Sequence, residues 1–161
     1  MSAKATPATV AAGRTKTTYT LHPYEVDGSS DGHSYGTDAA DALGVPHEHV
    51  FKTLIAEVDG QLTVGVVPVS TTLDLKALAA AVGGKRAAMA DAALAEKATG
   101  YVRGGISPLG QRKRLRTVID ASVTELPTVY VSAGRRGLQM ELKPRDLITL
   151  TEAVTAPIGA S

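Results

Sequence analysis

FKTLIAEV at residues 51–58, Asp59-Gly60, and QLTVGVVPV at residues 61–69 form the stretch on which the fold turns. β-Branched and large apolar residues fill both runs, as in strands buried on at least one face. Asp-Gly is the dipeptide whose left-handed backbone closes a two-residue turn with the twist that antiparallel strands need. The stretch therefore predicts a β-hairpin. Near its start stands Lys52, which admits two readings: an outward sheet-surface charge with its stem along apolar neighbours, or a cation facing a pocket where it would hold an anionic or carbonyl oxygen.

Working outward toward the C-terminus, LDLKALAAAVG (73–83) places Leu75, Leu78, Ala79 and Val82 at helical spacing, with Gly83 as the stop. Asp91 is positioned to cap a second helix, AALAEKATG, that ends at Gly100. A loop, RGGISPLGQRKRLR (103–116), precedes three short strands, TVIDA (117–121), TVYVS (128–132) and LQMEL (138–142). The last two are separated by the glycine-bearing turn AGRRG, and Pro144 heads a final helix. Toward the N-terminus, TTYTLHPYEV (17–26) reads as a strand whose Pro23 suits an edge or a bulge, followed by the loop DGSSDGHSYG (27–36). Thr37 is expected to cap a helix through Leu43, stopped by Gly44, and Pro46 to restart the backbone in a turn. Thr6-Pro7 resembles an N-cap and first helical position, but that segment is short; residues 1–13 and 153–161 are expected to be loosely ordered ends. Strands and helices mixed without regular alternation predict an α+β fold, with residues 1–161 as one domain.

The chain has 161 residues and no cysteine, so disulfides, thiolate metal sites and a cysteine nucleophile are excluded, and any thiol chemistry must come from a substrate. No signal-peptide run or bilayer-length apolar stretch is present, which predicts a soluble intracellular protein. The net charge of +1 is unevenly spread: residues 85–116 hold 8 basic and 2 acidic side chains, including Arg112, Lys113, Arg114 and Arg116. Such a block is either a solvated surface or a phosphate-attracting patch. P-loop, Rossmann, HExxH and GxSxG patterns are absent. His47 and His49 form an HxH pair without a third ligand at useful spacing, so no metal is expected.

Besides Lys52, the residues that could carry chemistry are Gly104-Gly105 in GGISP, Ser132 at a strand end, and the turn from Gly134 to Gly137. Paired glycines either supply a turn or let a backbone N–H approach a substrate oxygen unobstructed.

Taken in order, VFKTLIAEVDG (50–60), VVPVSTTLDLKALA (66–79), TGYVRGGISPLGQRKRLRTVIDAS (99–122) and TVYVSAGRRGLQMEL (128–142) closely resemble the YbaK/EbsC family of Cys-tRNA deacylases, almost end to end. The resemblance implies a mixed, barrel-like β-sheet flanked by short helices, with a cleft for the aminoacylated 3′ end of tRNA. It implies Lys52 as the catalytic residue, and Tyr24, Tyr35, Thr53, Gly104, Gly105, Ser107, Ser132, Gly134 and Gln139 as the substrate-binding set. Arg103, Arg112, Lys113 and Arg114 would hold tRNA. The implied reaction is removal of cysteine from mischarged Cys-tRNA(Pro), and also from Cys-tRNA(Cys), by attack of the substrate's own thiol. It needs no metal or organic cofactor, takes place in the cytoplasm, and has prolyl-tRNA synthetase as the partner supplying tRNA identity. One departure stands out: family members commonly carry aspartate where this chain has Gln139, which puts the amino-acid specificity in question. The alternatives are clearance of alanine or serine by the same fold, and a silent module that binds tRNA or a synthetase.

Overall fold

A computed structural model describes residues 5–25 and 35–161, with only the backbone given for Tyr35. Helix α1 (Pro7–Arg14) starts at Thr6, whose hydroxyl accepts the Thr9 N–H while the Thr9 hydroxyl accepts that of Thr6, a reciprocal cap. Strand β1 (Tyr19–Pro23) follows, then α2 (Tyr35–Leu43), a short 3-10 turn at His47–His49, and the hairpin strands β2 (Phe51–Val58) and β3 (Gln61–Pro68). Next come β4 (Thr72–Leu73), α3 (Leu75–Ala81), β5 (Ala87–Met89) and α4 (Ala92–Thr99). The chain ends with β6 (Arg116–Asp120), a 3-10 turn at Ala121–Glu125, β7 (Val129–Arg135), β8 (Leu138–Leu142), α5 (Pro144–Thr151), β9 (Val154–Ala156) and β10 (Gly159–Ala160).

The hairpin forms as expected, with Asp59 (φ 51°) and Gly60 (φ 82°) both left-handed at its turn. Asp74 and Asp91 cap α3 and α4, and Gly100 ends α4 in the left-handed conformation. Thr37 does not cap α2, because the helix begins at Tyr35 and takes Thr37 into its first turn. Most of the expected loop at 27–36 lies outside the described residues.

Two main sheets and a two-stranded β4–β10 pair build the described part of the molecule. The larger runs β5-β2-β3-β6-β9, antiparallel around β2 and parallel from β3 through β9; the smaller runs β1-β8-β7 and is antiparallel, with β1 at its edge as Pro23 suggested. They approach at a single parallel bridge, Val50 to Tyr130, and no closed barrel forms among the described residues. Phe51, Ile55, Val64 and Val66 from one sheet and Val129, Val131, Leu138 and Met140 from the other fill the main core between them. A second core lies under α3, where Val58, Val67, Leu78, Val118 and Ile158 meet.

Within both segments expected to be loose, described residues pack on or pair with the rest of the fold. Ala8 and Ala12 of α1 are fully buried, and the Thr6 hydroxyl donates to the Ala133 carbonyl of β7 at 2.5 Å. The small residues let the helix sit close to its neighbours, and apolar periodicity alone does not reveal such a fit. At the other end, β9 pairs with β6 and β10 with β4, and the Asp120 carboxylate accepts the N–H groups of Ile158 and Gly159.

Candidate active site

Strand β5 pairs with β2 at Ala56–Val58, the Ala90 N–H reaches the Ile55 carbonyl, and the bridge to β7 lies at Val50, so residues 51–54 of β2 have no ladder partner on that edge among the described residues. A cleft of about 520 Å³ occupies this gap, a size suited to a small ligand. Its walls come from β2, from Met89 to Ala95 around the start of α4, from the 103–106 loop, and from the β7–β8 pair.

Six of the residues singled out by sequence line it together: Lys52, Thr53, Arg103, Gly104, Ser132 and Gln139. Register explains the meeting. From the Val50–Tyr130 bridge the same two-residue step along each parallel chain leads to Lys52 and to Ser132, and Ser132 in turn pairs with Gln139 across β7 and β8. Residues two apart share a face, so these three form one row across three strands. Lys52 is half-buried and has no carboxylate within ion-pair distance among the described residues. Burial holds its pKa below the ordinary lysine value.

Two polar atoms in this wall are orphaned. Thr53 Oγ1 and Gln139 Oε1 are buried without a hydrogen-bond partner among the described residues. Such atoms each cost on the order of 1–3 kcal/mol, and buried polar atoms left unpaired are uncommon in native folds. Ser132 Oγ accepts the Gly134 N–H at 3.1 Å, which leaves its own hydrogen to donate.

The remaining expected contacts are placed differently. Gly105 is buried beneath the cleft, and its N–H is used by the Val102 carbonyl at 2.9 Å, so it offers no donor to a substrate oxygen. A Cβ there would lie 2.8 Å from the Arg135 Cα, so this glycine serves close packing of the loop on the β7–β8 turn. Arg136 Nε donates to the Arg103 carbonyl at 2.8 Å and ties the same two loops. Ser107 is fully buried, with its hydroxyl accepting the Leu109 N–H, and it shapes the loop without facing the cleft. Gly134 (φ 109°) gives room to the Tyr101 ring and Thr6. Tyr24 lies outside the lining, its N–H bound to the Gly137 carbonyl, and the Tyr35 side chain is outside the described part.

The basic run divides. Arg103 is at the cleft, whereas the backbones of Arg112 and Lys113 cap α4 by donating to the Thr99 and Ala98 carbonyls. Lys113 and Arg114 line a separate hollow of about 600 Å³, where Glu152 binds Arg114 at 2.7 Å. That hollow contains neither Lys52 nor an orphaned polar atom. His47 is bound to Asp41 at 2.8 Å, and no group of three or more potential metal ligands occurs among the described residues. Sequence reasoning missed the apolar wall of Met89, Ala90, Ala92, Ala95 and Ile106, and Glu96 beside it. Nothing in their local pattern distinguishes them from ordinary helix and loop residues.

Residues 30–150 match the family model described as the aminoacyl-tRNA editing domain. The chain belongs to the aminoacyl-tRNA editing domain family. Within it, the chain is 38% identical over 138 residues to EbsC of Enterococcus faecalis, a protein named, provisionally, as a Cys-tRNA(Pro)/Cys-tRNA(Cys) deacylase; the match covers 84% of this chain and 82% of the relative. Among solved structures, a hypothetical protein superposes with a TM-score of 0.84 at 25% identity, over 96% of this chain and 99% of that one. Another, described provisionally as a trans-editing enzyme for prolyl-tRNA synthetase, superposes with a TM-score of 0.81 at 21% identity, over 99% and 100%. These superpositions support the α+β editing-domain fold. In this editing domain the cleft along β2 joins the segments that carry the family resemblance, FKT and GGIS, to the β7–β8 pair.

Proposed function

We propose that this editing domain is an aminoacyl-tRNA deacylase that removes cysteine from mischarged Cys-tRNA(Pro), and from Cys-tRNA(Cys), in the cytoplasm. The observation that carries the reading is the meeting of Lys52, Ser132 and Gln139 in one cleft, with Gln139 Oε1 and the neighbouring Thr53 Oγ1 buried and unpaired among the described residues. An aminoacyl ester is already activated, so the site has mainly to orient it and stabilise the oxyanion that forms on its carbonyl. The substrate thiolate would attack that carbonyl, forming a carbon–sulfur bond. The ester carbon–oxygen bond then breaks, its electron pair stays on the ribose oxygen, and that oxygen takes up a proton. The products are a cyclic thiolactone and free tRNA, and no protein nucleophile is needed.

Lys52 supplies a cation for the terminal phosphate or the developing oxyanion, Ser132 a hydroxyl donor, and Arg103 a second cation at the rim. A domain of this size has little surface with which to read a whole tRNA. Prolyl-tRNA synthetase, to which the description of one solved relative refers, is the proposed partner for tRNA identity.

The test is cysteine release from Cys-tRNA(Pro) by the wild type and by Lys52→Ala, with Ala-tRNA and Ser-tRNA in parallel. Release from the cysteinyl substrate that collapses in the variant supports the proposal. Equal release from all three would replace thiol assistance with plain hydrolysis of small aminoacyl esters, and no release from any would leave a binding module.

A further inference from the structure

Among the described residues that line the cleft, Glu96 is the one carboxylate. It stands on α4 next to Ala95 and one helical turn after Ala92, which share its wall, and it is partly buried. Its Oε2 accepts the backbone N–H of Arg103 at 2.9 Å, which fixes the carboxylate beside the glycine loop. Neither Lys52 nor Arg103 forms an ion pair with it, so its charge is uncompensated among the described residues.

We infer that Glu96 binds the α-ammonium group of the aminoacyl moiety, opposite Gln139, and so sets which way the amino acid lies in the cleft. The assignment rests on the deacylase reading. An aminoacylated RNA end brings charges of both signs: phosphates, and an ammonium group on the amino acid. Lys52 and Arg103 are matched to the phosphates, and in this lining only Glu96 is matched to the ammonium. A desolvated ammonium needs a carboxylate or several strong acceptors to offset the loss of water. Gln139 Oε1, buried and orphaned, offers one neutral acceptor on the strand wall. A carboxylate and an amide oxygen on two walls define an axis for the amino group, and the carbonyl is thereby turned toward the Lys52–Ser132 row.

The experiment compares Cys-tRNA with N-acetyl-Cys-tRNA, which keeps thiol and ester but has no ammonium, in the wild type, Glu96→Gln and Glu96→Asp. Glutamine retains an acceptor for the Arg103 N–H and removes only the charge. Glu96→Gln is expected to lower kcat/KM on Cys-tRNA about tenfold, chiefly through KM, to leave N-acetyl-Cys-tRNA unaffected, and to be partly rescued by aspartate. Equal losses on both substrates would overturn the assignment and leave Glu96 as an anchor for the loop; no loss on either would also overturn it. A second measurement avoids turnover: binding of an RNA minihelix carrying cysteine in a stable 3′-amide linkage, with and without N-acetylation. The wild type should prefer the free amine, and Glu96→Gln should lose that preference. A wild type that shows the preference yet cleaves no ester would sink the deacylase reading while upholding the role of Glu96. A wild type indifferent to acetylation would sink the role itself.

Discussion

Ser132 and Gln139 stand opposite each other across β7 and β8, yet only the serine is satisfied: its Oγ accepts the Gly134 N–H at 3.1 Å, whereas Gln139 Oε1 has no partner among the described residues. Thr53 Oγ1 shares that condition on the facing strand. An orphaned buried polar atom weakens the fold, and an apolar group of the same shape removes the penalty. Gln139→Leu and Thr53→Val should therefore melt no lower than the wild type, and up to about 1 kcal/mol more stably. Their deacylation of Cys-tRNA should fall about tenfold or more. Thermal melts beside single-turnover assays give both numbers. A loss of stability in either variant would show that the atom is bonded within the fold and not kept for a ligand.

Lys52 carries the same trade between fold and site. Burial lowers its pKa, so the cation is lost as pH rises through a value below that of an ordinary lysine. Activity that depends on the cation should decline on the alkaline side accordingly, once the uncatalysed ester hydrolysis has been subtracted. For stability the sign is reversed. The unfolded chain holds the proton to higher pH, so in the window between the two pKa values stability rises with pH. The Lys52 contribution is complete above the unfolded value and disappears as pH falls through the folded one. Lys52→Met should abolish the alkaline limb of the rate profile, lower the rate by about 100-fold, and melt no lower than the wild type at neutral pH.

Gly104 and Gly105 differ in what they tolerate. Gly104 lines the cleft at φ +84°, where alanine is strained by roughly 1–2 kcal/mol. At Gly105 the obstacle is backbone: an added Cβ would meet the Arg135 Cα at 2.8 Å and the Arg136 nitrogen at 2.9 Å. Backbone cannot turn aside as a flexible side chain can, so Gly105→Ala should push the 103–106 loop off the β7–β8 turn. A loss of activity of about 100-fold is expected from such a displacement, although Gly105 is outside the cleft lining and its N–H is taken by Val102. Hydrogen exchange at the Gly105 amide, now bonded to Val102, should speed up in parallel; unchanged exchange with lost activity would instead place Gly105 at the substrate.

Much of this arrangement was legible before the structure, because local chemistry decides it. Asp59-Gly60, Asp91 and Gly100 each dictate a turn or a helix end through their own backbone and side-chain preferences, and those elements lie where the sequence puts them. Family resemblance pointed to Lys52, Gly104, Ser132 and Gln139, and the cleft holds all four. What was not legible is non-local. The Val50–Tyr130 bridge brings Lys52 level with Ser132, and no local pattern in either segment specifies that pairing. The parallel run from β3 through β6 to β9 is equally hidden, since Val154–Ala156 is too short and exposed to show a strand pattern. Glu96 escaped notice because its role depends on which helix face the cleft meets.

The C-terminal segment tests how far one side chain can hold such a hidden element. Asp120 Oδ1 accepts from the Ile158 and Gly159 N–H groups at 3.0 and 2.8 Å, and Oδ2 from the Ser122 hydroxyl and N–H at 2.6 and 3.2 Å. Burial works to raise its pKa, but these four hydrogen bonds outweigh it and the pKa lies below the ordinary aspartate value. Its contribution is therefore present above the unfolded pKa and lost as pH falls through the folded one. Asp120→Ala should cost about 3 kcal/mol, on the order of 10 °C in Tm, with limited proteolysis releasing the tail first. Across an acid series the gap between wild type and variant should close, because the protonated aspartic acid no longer favours those donors. A variant that melts like the wild type at neutral pH would mean that the β6–β9 and β4–β10 pairings hold the tail unaided.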